Sequence, residues 1–387
     1  SHVASLIRPT SAGGWSGAFG SVRVTVPADT ESGDYTVRIV GADTGTEALV
    51  PLEVEAAGPV EVQLLATNDF HGRIQANRSE AGAAVLSGAV NQLRSENPNT
   101  VFAMAGDIIG ASTFVSFIAQ DKPTIDALNE AGLEVSAVGN HEFDKGYDDL
   151  VERVMAPYDA DTNPYGGAEW EYLGANVKFK ESGDPALDGT WIKDVDGYQI
   201  GFVGAVTEHL DELVSPDGIA DIEVTDIVEA TNAAADDLKS EGADVVVLLV
   251  HEGAPSNDCD EIAALGAETD FGSIVQGVSD DVDAIVSGHT HLTYNCSFPV
   301  AGWSDREVTE RPVVSAGQYG YNLNQILFSV DEETGEVVGM EQNVLPLTIG
   351  VDPYTANYPA DQDVQDIVDA AVAEADVLGA EPLGDID

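Results

Sequence analysis

The sequence is poor in basic side chains. Only 15 of its 387 residues are Lys or Arg, against 69 Asp and Glu, which gives a formal net charge of -54. A surface this anionic repels phosphate backbones and anionic lipid headgroups. We therefore expect no long nucleic acid and no membrane surface as the main partner. The acidity has two explanations, a secreted protein that charge keeps soluble or adaptation to high salt, and we favour the first.

Long hydrophobic runs and cysteines are equally scarce. The longest aliphatic run, Val245–Val250, has six residues, whereas a membrane-spanning helix needs about 20, so we expect no transmembrane segment. The start, Ser1-His2-Val3, lacks the basic and apolar pattern of a signal peptide and is what we expect of a mature or cloned fragment. The two cysteines, Cys259 and Cys296, exclude a disulfide scaffold but permit one bridge.

The first 57 residues have the pattern of a small antiparallel β module. Three β-rich runs, Ser21–Val26, Tyr35–Val40 and Ala48–Val54, are separated by turn-rich segments. They resemble part of an immunoglobulin-like module, and Ala56–Pro59 is the predicted linker. We therefore place a β-rich immunoglobulin-like module or fragment at residues 1–57.

From Val60 onwards the pattern is that of a layered α/β fold. Apolar runs that do not alternate predict strands buried on both faces, and helix-sized segments such as Gly82–Glu96 and Ile227–Glu241 separate several of them. The tail Gln362–Leu378 has apolar residues at helical spacing and predicts a further helix. The predicted strands are Val62–Thr67, Val101–Ala105, Val135–Val138, Tyr172–Asn176, Ile200–Val206, Val245–Val250, Ala284–Ser287, Val313–Ala316 and Gln325–Val330.

Polar side chains follow five of these strands at the point where each strand ends. Open α/β sheets place their sites outside the carboxyl ends of the strands, so we expect the groups to meet in one crevice. Five of the seven histidines belong to these motifs, whereas His2 and His209 lie outside them. The motifs are Thr67-Asn68-Asp69-Phe70-His71-Gly72, Gly106-Asp107, Gly139-Asn140-His141-Glu142-Phe143-Asp144, His251-Glu252-Gly253 and Gly288-His289-Thr290-His291.

These motifs supply side chains suited to a pair of metal ions. Asp69 and His71 are two residues apart, as are His289 and His291, and we expect each pair to point the same way from extended backbone. Imidazoles with carboxylates suit zinc, manganese or iron, while the lack of cysteine argues against a closed structural zinc site. The candidates exceed the demand of one ion, so two ions that share Asp107 fit better. The candidate ligands are Asp69, His71, Asp107, Asn140, His251, His289 and His291.

In this order, the motifs resemble the signature of calcineurin-like metallophosphatases. The spellings of Thr67–Gly72 and Gly139–Asp144 are closer to the bacterial 5′-nucleotidase / UDP-sugar hydrolase branch, and the resemblance covers roughly residues 60 to 345. It implies a layered α/β fold in which helices flank a β-sandwich core, in a domain that we place at 58–345. Residues 346–387 then correspond to a linker and a helix that lead, in that family, to a C-terminal substrate domain, which we expect to be missing.

The resemblance also implies a role for each motif residue. Two sets of ligands that share one carboxylate hold its two metals, Asp69, His71, Asp107 and His291 for the first and Asp107, Asn140, His251 and His289 for the second. His141 is the catalytic histidine near the phosphate and the leaving oxygen, and Asp144 holds its ring. A hydroxide that bridges the two divalent ions then attacks phosphorus in line.

The leading prediction is an enzyme, a two-metal phosphohydrolase that removes phosphate from nucleoside 5′-monophosphates or related nucleotides and acts as a monomer. A phosphodiesterase that cleaves cyclic nucleotides or nucleic acid with the same centre is an alternative. A second alternative is a non-catalytic surface or adhesion fragment with a structural metal site. The acidic surface counts against long nucleic acid as a substrate.

The two cysteines lie close to the metal motifs. Cys259 follows His251 by eight residues and Cys296 follows His291 by five, so both belong to loops at the same edge of the sheet. We predict a disulfide between them, against the alternative of two free thiols. A bridge supports a secreted or cell-surface location.

Overall fold

The computed structural model describes residues 4–6, 33–40, 47–54, 58–332 and 334–380. They belong to two compact units, one of Ser1–Val60 with Asp331–Thr334 and one of Glu61–Val330 with Gly335–Asp387.

The smaller unit contains a three-stranded antiparallel sheet. Its strands, in the spatial order β1-β3-β2, are β1 (Ala4–Leu6), β2 (Gly33–Val40) and β3 (Glu47–Val54). The strands predicted over Tyr35–Val40 and Ala48–Val54 are therefore confirmed. The run Ser21–Val26 lies outside the described residues, and the immunoglobulin-like assignment stays a prediction.

The larger unit is built from alternating strands and helices. Its strands are β4 (Val60–Thr67), β5 (Thr100–Ala105), β6 (Val135–Ala137), β7 (Glu171–Leu173), β8 (Val177–Phe179), β9 (Thr190–Val195), β10 (Tyr198–Val206), β11 (Ile222–Val224), β12 (Val245–His251), β13 (Ala284–Ser287), β14 (Thr293–Pro299), β15 (Glu310–Ala316), β16 (Asn322–Val330), β17 (Val337–Pro346), β18 (Thr348–Ile349) and β19 (Thr355–Ala356). Its helices are α1 (Ala83–Glu96), α2 (Phe114–Phe117), α3 (Lys122–Glu130), α4 (Tyr147–Asp149), α5 (Leu210–Leu213), α6 (Ile227–Glu241), α7 (Cys259–Ala263), α8 (Asp270–Gly277) and α9 (Gln362–Gly379).

Two six-stranded mixed sheets form the centre of this unit. The first sheet has the strand order β17-β16-β4-β5-β6-β7, and the second has the order β14-β15-β13-β12-β10-β9. Strands β4 to β7 run parallel in the first sheet, and β10, β12, β13 and β15 run parallel in the second. The carboxyl ends of parallel neighbours lie at one edge of a sheet, so each sheet presents a row of strand-end loops.

The two sheets pack face to face. Leu64 and Val101 of the first sheet share one apolar cluster with Phe202 and Val247 of the second, and all four side chains are buried. Helices α1, α3 and α9 contribute to a second cluster on the outer face of the first sheet, while α6 and α8 cover the outer face of the second sheet. The β-sandwich core flanked by helices is therefore confirmed, and strands such as β12 are buried on both faces as predicted.

The last described helix, α9, packs against α1 and α3. Asp361 caps it by accepting a hydrogen bond from the backbone N–H of Asp363, and Ser87 of α1 donates to the same carboxyl group at 2.7 Å. Val364 and Val368 are buried on its inner face, in agreement with the predicted helical spacing. Among the described residues, no helix is both long enough and apolar enough to cross a membrane.

Val364 provides a test of this packing, since its side chain is fully buried whereas Val377 of the same helix is 67 % exposed. We expect Val364→Ala to lower the free energy of unfolding by about 1–3 kcal/mol, because it leaves a cavity between α9 and the core. Val377→Ala is the matched control and should change it by less than about 0.5 kcal/mol. Denaturant unfolding of both variants measures this, and equal effects would contradict the packing described.

Candidate metal centre

The loops that follow five strands meet at one place between the carboxyl edges of the two sheets. The backbone N–H groups of Asp69 and His71 donate to the carbonyls of Gly106 and Asp107, at 3.1 and 3.0 Å, and join the loops after β4 and β5. The N–H of His289, after β13 of the second sheet, donates to the Asp69 carboxylate at 2.9 Å. The sequence-predicted motifs therefore converge, although they are spread over more than two hundred positions.

The backbone that presents the ligands is left-handed, which corrects the expectation of extended backbone. The pairs Asp69 with His71 and His289 with His291 do converge, but all four residues have φ between 49° and 71°. Asp107 has φ 52°. Non-glycine residues avoid this region, at a cost of order 1–3 kcal/mol each, and such strain persists only where the surroundings hold it. Sharp turns directly after the strands, rather than continued strands, aim these side chains.

The first ligand cluster consists of Asp69, His71 and His291, next to Asp107. The His291 Nε2 atom lies 3.1 Å from Asp69 Oδ1 and 3.2 Å from His71 Nε2. The His71 Nε2 atom also lies 3.6 Å from Asp107 Oδ2. Asp69, His71 and Asp107 are buried, while His291 is about one-third exposed.

The second cluster lies on the other side of the Asp107 carboxylate. The His251 Nε2 atom is 3.0 Å from Asp107 Oδ2 and 3.2 Å from Asn140 Oδ1. The His289 Nδ1 atom is 3.1 Å from the same Asn140 oxygen. One oxygen of Asp107 therefore faces both clusters, and all seven predicted ligands belong to one or the other.

The outer hydrogen bonds of the rings fix which nitrogen faces the centre. His71 donates from Nδ1 to the Gly110 carbonyl at 2.9 Å, and His251 donates from Nδ1 to the Ala105 carbonyl at 2.8 Å. In the neutral tautomer that these hydrogen bonds select, each Nε2 atom carries the lone pair and faces the clusters, as metal-binding histidines require. Asn68 donates to Asp69 Oδ2 at 2.7 Å, which orients that carboxylate in the same manner.

The charges of the site favour a cation. Burial raises the pKa of Asp69, but hydrogen bonds from His291 and His71 outweigh it and hold that pKa below its usual value. Burial lowers the pKa of His251, yet the Asp107 carboxylate outweighs it and raises the pKa to about 10. The two buried carboxylates raise the proton affinity of the neighbouring imidazoles. They create a negative electrostatic potential that would favour the binding of a divalent cation. The donor set of imidazole, carboxylate and amide oxygen fits zinc, manganese or iron.

Glu142 organises the loops around the centre, a role that its position in the motif did not reveal. Its buried carboxylate accepts hydrogen bonds from the backbone N–H groups of Asp107, Ile108, Ile109 and Gly139, at 2.9, 2.9, 3.3 and 2.6 Å. It thereby ties the loop after β5 to the loop after β6. Burial and the Asp107 charge raise the pKa of Glu142 to about 7.

Two positions of the motifs require glycine because side-chain atoms of the ligands lie too close for a Cβ atom. A Cβ atom on Gly139 would lie 2.2 Å from Asp107 Oδ1, and one on Gly106 would lie 2.6 Å from His251 Nδ1. Gly106 also has φ 79°, a conformation that favours glycine. The glycines that precede Asp107 and Asn140 therefore make room for the ligands.

His141 and Asp144 form a pair at the exposed side of the centre. The His141 Nδ1 atom lies 2.9 Å from Asp144 Oδ2, and the His141 side chain is 31 % exposed. This hydrogen bond, opposed by partial burial, raises the pKa of His141 to about 9. A ring nitrogen of His141 lies within 4.8 Å of ligand atoms of His71 and Asp107, so the ring borders the clusters without completing either.

A family model described as calcineurin-like phosphoesterase matches residues 62–292, more than half of the chain. The chain belongs to the calcineurin-like phosphoesterase family. The matched segment contains every residue of the two clusters together with His141 and Asp144. Membership of this metallophosphoesterase family implies divalent metal ions, and the two clusters are where the residues fit them.

Several proteins are similar to this chain. It is 31 % identical over 296 residues to the endonuclease YhcR of Bacillus subtilis (strain 168), covering 72 % of this chain and 23 % of that protein. It is 27 % identical to the cell wall protein Lmo0130 of Listeria monocytogenes (78 % of this chain, 40 % of that protein) and 25 % identical to a 5′-nucleotidase of Diplobatis ommata (80 % and 53 %). The chain thus spans about a quarter to a half of the length of these relatives.

The fold is also that of a solved 5′-nucleotidase precursor. The crystal structure of that protein from Thermus thermophilus superposes with a TM-score of 0.64 at 19 % identity, over 83 % of this chain and 60 % of that chain. This likeness supports the layered metallophosphatase fold predicted from the motifs.

The two cysteines of the chain form a disulfide. Cys259 begins α7, after the strand that carries His251, and Cys296 lies on β14, after His291, with Cα atoms 5.6 Å apart. The bridge therefore links the helix after the His251 strand to the strand after His291, so Cys296 lies on a strand and not, as predicted, in a loop. Of the remaining histidines, His209 is half exposed and pairs with Asp270 outside the clusters, and His2 lies outside the described residues.

We expect Glu142→Gln to weaken metal binding about 10- to 100-fold and to lower the free energy of unfolding by about 1–3 kcal/mol. The amide offers one acceptor oxygen where the carboxylate offers two, so at least one buried N–H loses its partner. Glu152→Gln, at an exposed position, is the matched control. Metal titration and denaturant unfolding measure both effects, and a variant as stable and as tight-binding as the control would refute the role of Glu142.

Removal of the disulfide tests the link between α7 and β14. The bridge spans 37 residues, for which chain entropy gives roughly 3–4 kcal/mol of stabilisation. We expect the double variant Cys259→Ala, Cys296→Ala to unfold at a correspondingly lower denaturant concentration. An unchanged midpoint, or two thiols that alkylate in the native, non-reduced protein, would show that the bridge does not form.

Proposed function

We propose that this chain is a two-metal hydrolase that removes phosphate from nucleoside 5′-monophosphates or related nucleotides. The observation that carries the proposal is the shared Asp107 carboxylate, which faces an imidazole of each cluster at 3.0 and 3.6 Å. Two clusters that meet at one carboxylate suit a pair of divalent ions, and such pairs catalyse phosphoryl transfer to water.

The distances support the two ligand sets that the resemblance implies. Asp69, His71, Asp107 and His291 would hold one ion, and Asp107, Asn140, His251 and His289 would hold the other, as the motifs predict. Two divalent ions, when bound, supply Lewis acidity toward the phosphoryl oxygens.

The proposed role of His141 is to protonate the leaving oxygen. Its Nδ1 atom is held by Asp144, so Nε2 is the nitrogen left to meet the substrate. Asp144 acts as a positioning residue that fixes the ring and favours its protonated form. A proton donated in the transition state contributes about 10²–10⁴ in rate.

A phosphodiesterase is the second candidate, because an endonuclease is among the relatives, at 31 % identity. The charge of the chain favours the monoesterase, since a net charge of -54 repels a long phosphate backbone. The 5′-nucleotidase of Diplobatis ommata, matched over 80 % of this chain, supports the same choice.

We further propose that the protein acts outside the cytoplasm, as a secreted or cell-surface monomer. The disulfide supports an oxidising compartment, and a cell wall protein is among the relatives. The acidic surface suits a protein kept soluble by charge. The monomeric state is a prediction that sedimentation of the purified chain tests.

Turnover of three substrates tests the proposal. We expect the zinc-, manganese- or iron-loaded chain to hydrolyse AMP faster than 2′,3′-cyclic AMP and bis(p-nitrophenyl) phosphate, and a chelator to abolish the activity. His141→Ala should lower kcat about 10²–10⁴-fold with unchanged metal content, whereas His209→Ala, at the exposed histidine outside the clusters, should not change it.

Three other outcomes of these experiments would each contradict one part of the proposal. Faster turnover of the diesters than of AMP would assign the phosphodiesterase instead. Full metal content with no hydrolysis of any of the three would favour a non-catalytic fragment with a structural metal site. Loss of metal in His141→Ala would place that histidine among the ligands.

A further inference from the structure

The loop between β15 and β16, residues 317–321, lies at the metal centre although it supplies none of the candidate ligands. It connects the second sheet to the first. The backbone N–H of Tyr319 donates to the Asp69 carbonyl at 2.8 Å, and the Asn68 side chain donates to the Gly317 carbonyl at 2.7 Å. Because Asn68 also orients the Asp69 carboxylate, the loop supports Asp69 both directly and through Asn68.

The aromatic ring of Tyr319 packs against both histidines of the first ligand cluster. Its centroid lies 5.7 Å from that of His71 and 5.4 Å from that of His291, with interplanar angles of 73° and 67°. Edge-to-face contacts at such distances are a favourable arrangement of aromatic rings. Within the described chain, Tyr319 makes no ring contact with the histidines of the second cluster, which pack against each other instead.

His291 is the ligand of the first cluster that most needs this support. The His71 ring is fixed by the hydrogen bond from its Nδ1 atom to the Gly110 carbonyl. The Nδ1 atom of His291, in contrast, makes no hydrogen bond to any residue that the structure describes, and the side chain is about one-third exposed. Metal-binding histidines are ordinarily oriented by a hydrogen bond from the second ring nitrogen, so another contact has to orient the His291 ring.

Tyr319 is itself held in a defined position. Its φ of 56° lies in the left-handed region that non-glycine residues avoid, and such strain persists where the surroundings hold it, typically at functional sites. The guanidinium carbon of Arg73 lies over the face of the Tyr319 ring, 4.1 Å from its centroid, in a cation–π contact. Arg73 in turn lies 3.8 Å from the Glu80 carboxylate. The ring therefore contacts Arg73 and two ligand histidines at once, which limits its rotation.

We propose that Tyr319 is a positioning residue, which holds His71 and His291 in the geometry that the first metal ion requires. The proposal rests on the two-metal function proposed above. Tyr319 contacts every member of the first cluster, Asp69 through its backbone and the two histidines through its ring. These contacts involve the ring and not the hydroxyl group. Loss of the ring therefore weakens the binding of the first ion and leaves the ion of the second cluster in place.

Stepwise titration of the metal-free chain with Co²⁺, which binds the same donors as zinc, tests this role. We expect Tyr319→Leu, which removes the aromatic ring, to weaken the binding of one of the two ions about 10- to 100-fold, as loss of a group that orients a ligand does. The other ion should bind with native affinity. Tyr319→Phe keeps the ring and should bind both ions as the native chain does. Tyr165→Leu, at a tyrosine that is 42 % exposed and outside both clusters, is the matched control.

The visible absorption bands of bound Co²⁺ report the geometry of each site without reference to activity. His291→Ala, which removes a ligand of the first cluster, identifies the bands and the titration step of the first ion, and Tyr319→Leu should alter the same bands and the same step.

Four outcomes would overturn the positioning role while leaving the two-metal centre intact. They are native binding of both ions by Tyr319→Leu, equal weakening of both ions, loss of the first ion in Tyr319→Phe, and a metal-free Tyr319→Leu chain whose circular dichroism shows that it does not fold. If the native chain binds fewer than two ions, the proposed two-metal function itself fails, and the role of Tyr319 fails with it.

Discussion

The position of the Asp107 carboxylate is the constraint on which the rest of the site depends. Its Oδ2 atom faces His251 at 3.0 Å and His71 at 3.6 Å, so a residue of the first sheet joins imidazoles presented by both sheets. Its Oδ1 atom accepts the backbone N–H of His141 at 2.9 Å and so positions the turn that carries the proposed acid. Movement of this one side chain would disturb both clusters and the His141–Asp144 pair together.

The surrounding structure offsets the cost of that arrangement. Five of the seven candidate ligands adopt left-handed backbone, which non-glycine residues avoid. The Glu142 carboxylate, which binds N–H groups of two loops, helps to hold these turns in place, and the Cys259–Cys296 bridge joins the helix after His251 to the strand after His291. In the larger unit, two sheets packed face to face between helices provide the rigid frame that such a site requires.

Much of the fold and of the candidate site was predictable from the sequence, because buried parallel strands and the polar groups at their ends leave a strong local pattern. The strand at Val245–Val250 and the ligand His251 that follows it are an example. Strand β14 is not among the predicted strands, because it alternates between exposed and buried residues whereas the predicted strands of this domain are continuous apolar runs. The turn geometry at Asp69 and the role of Glu142 could not be predicted from the sequence, since both depend on hydrogen bonds to loops that are distant along the chain.

The number of divalent ions bound by each chain tests the central claim most directly. Elemental analysis of the native chain after loading with zinc or manganese and removal of free ions should give two ions per chain. Asp107→Ala should reduce the count to one or none, because both clusters lose the carboxylate that they share. A native chain that binds one ion or none, or an Asp107→Ala variant that keeps two, would contradict the account.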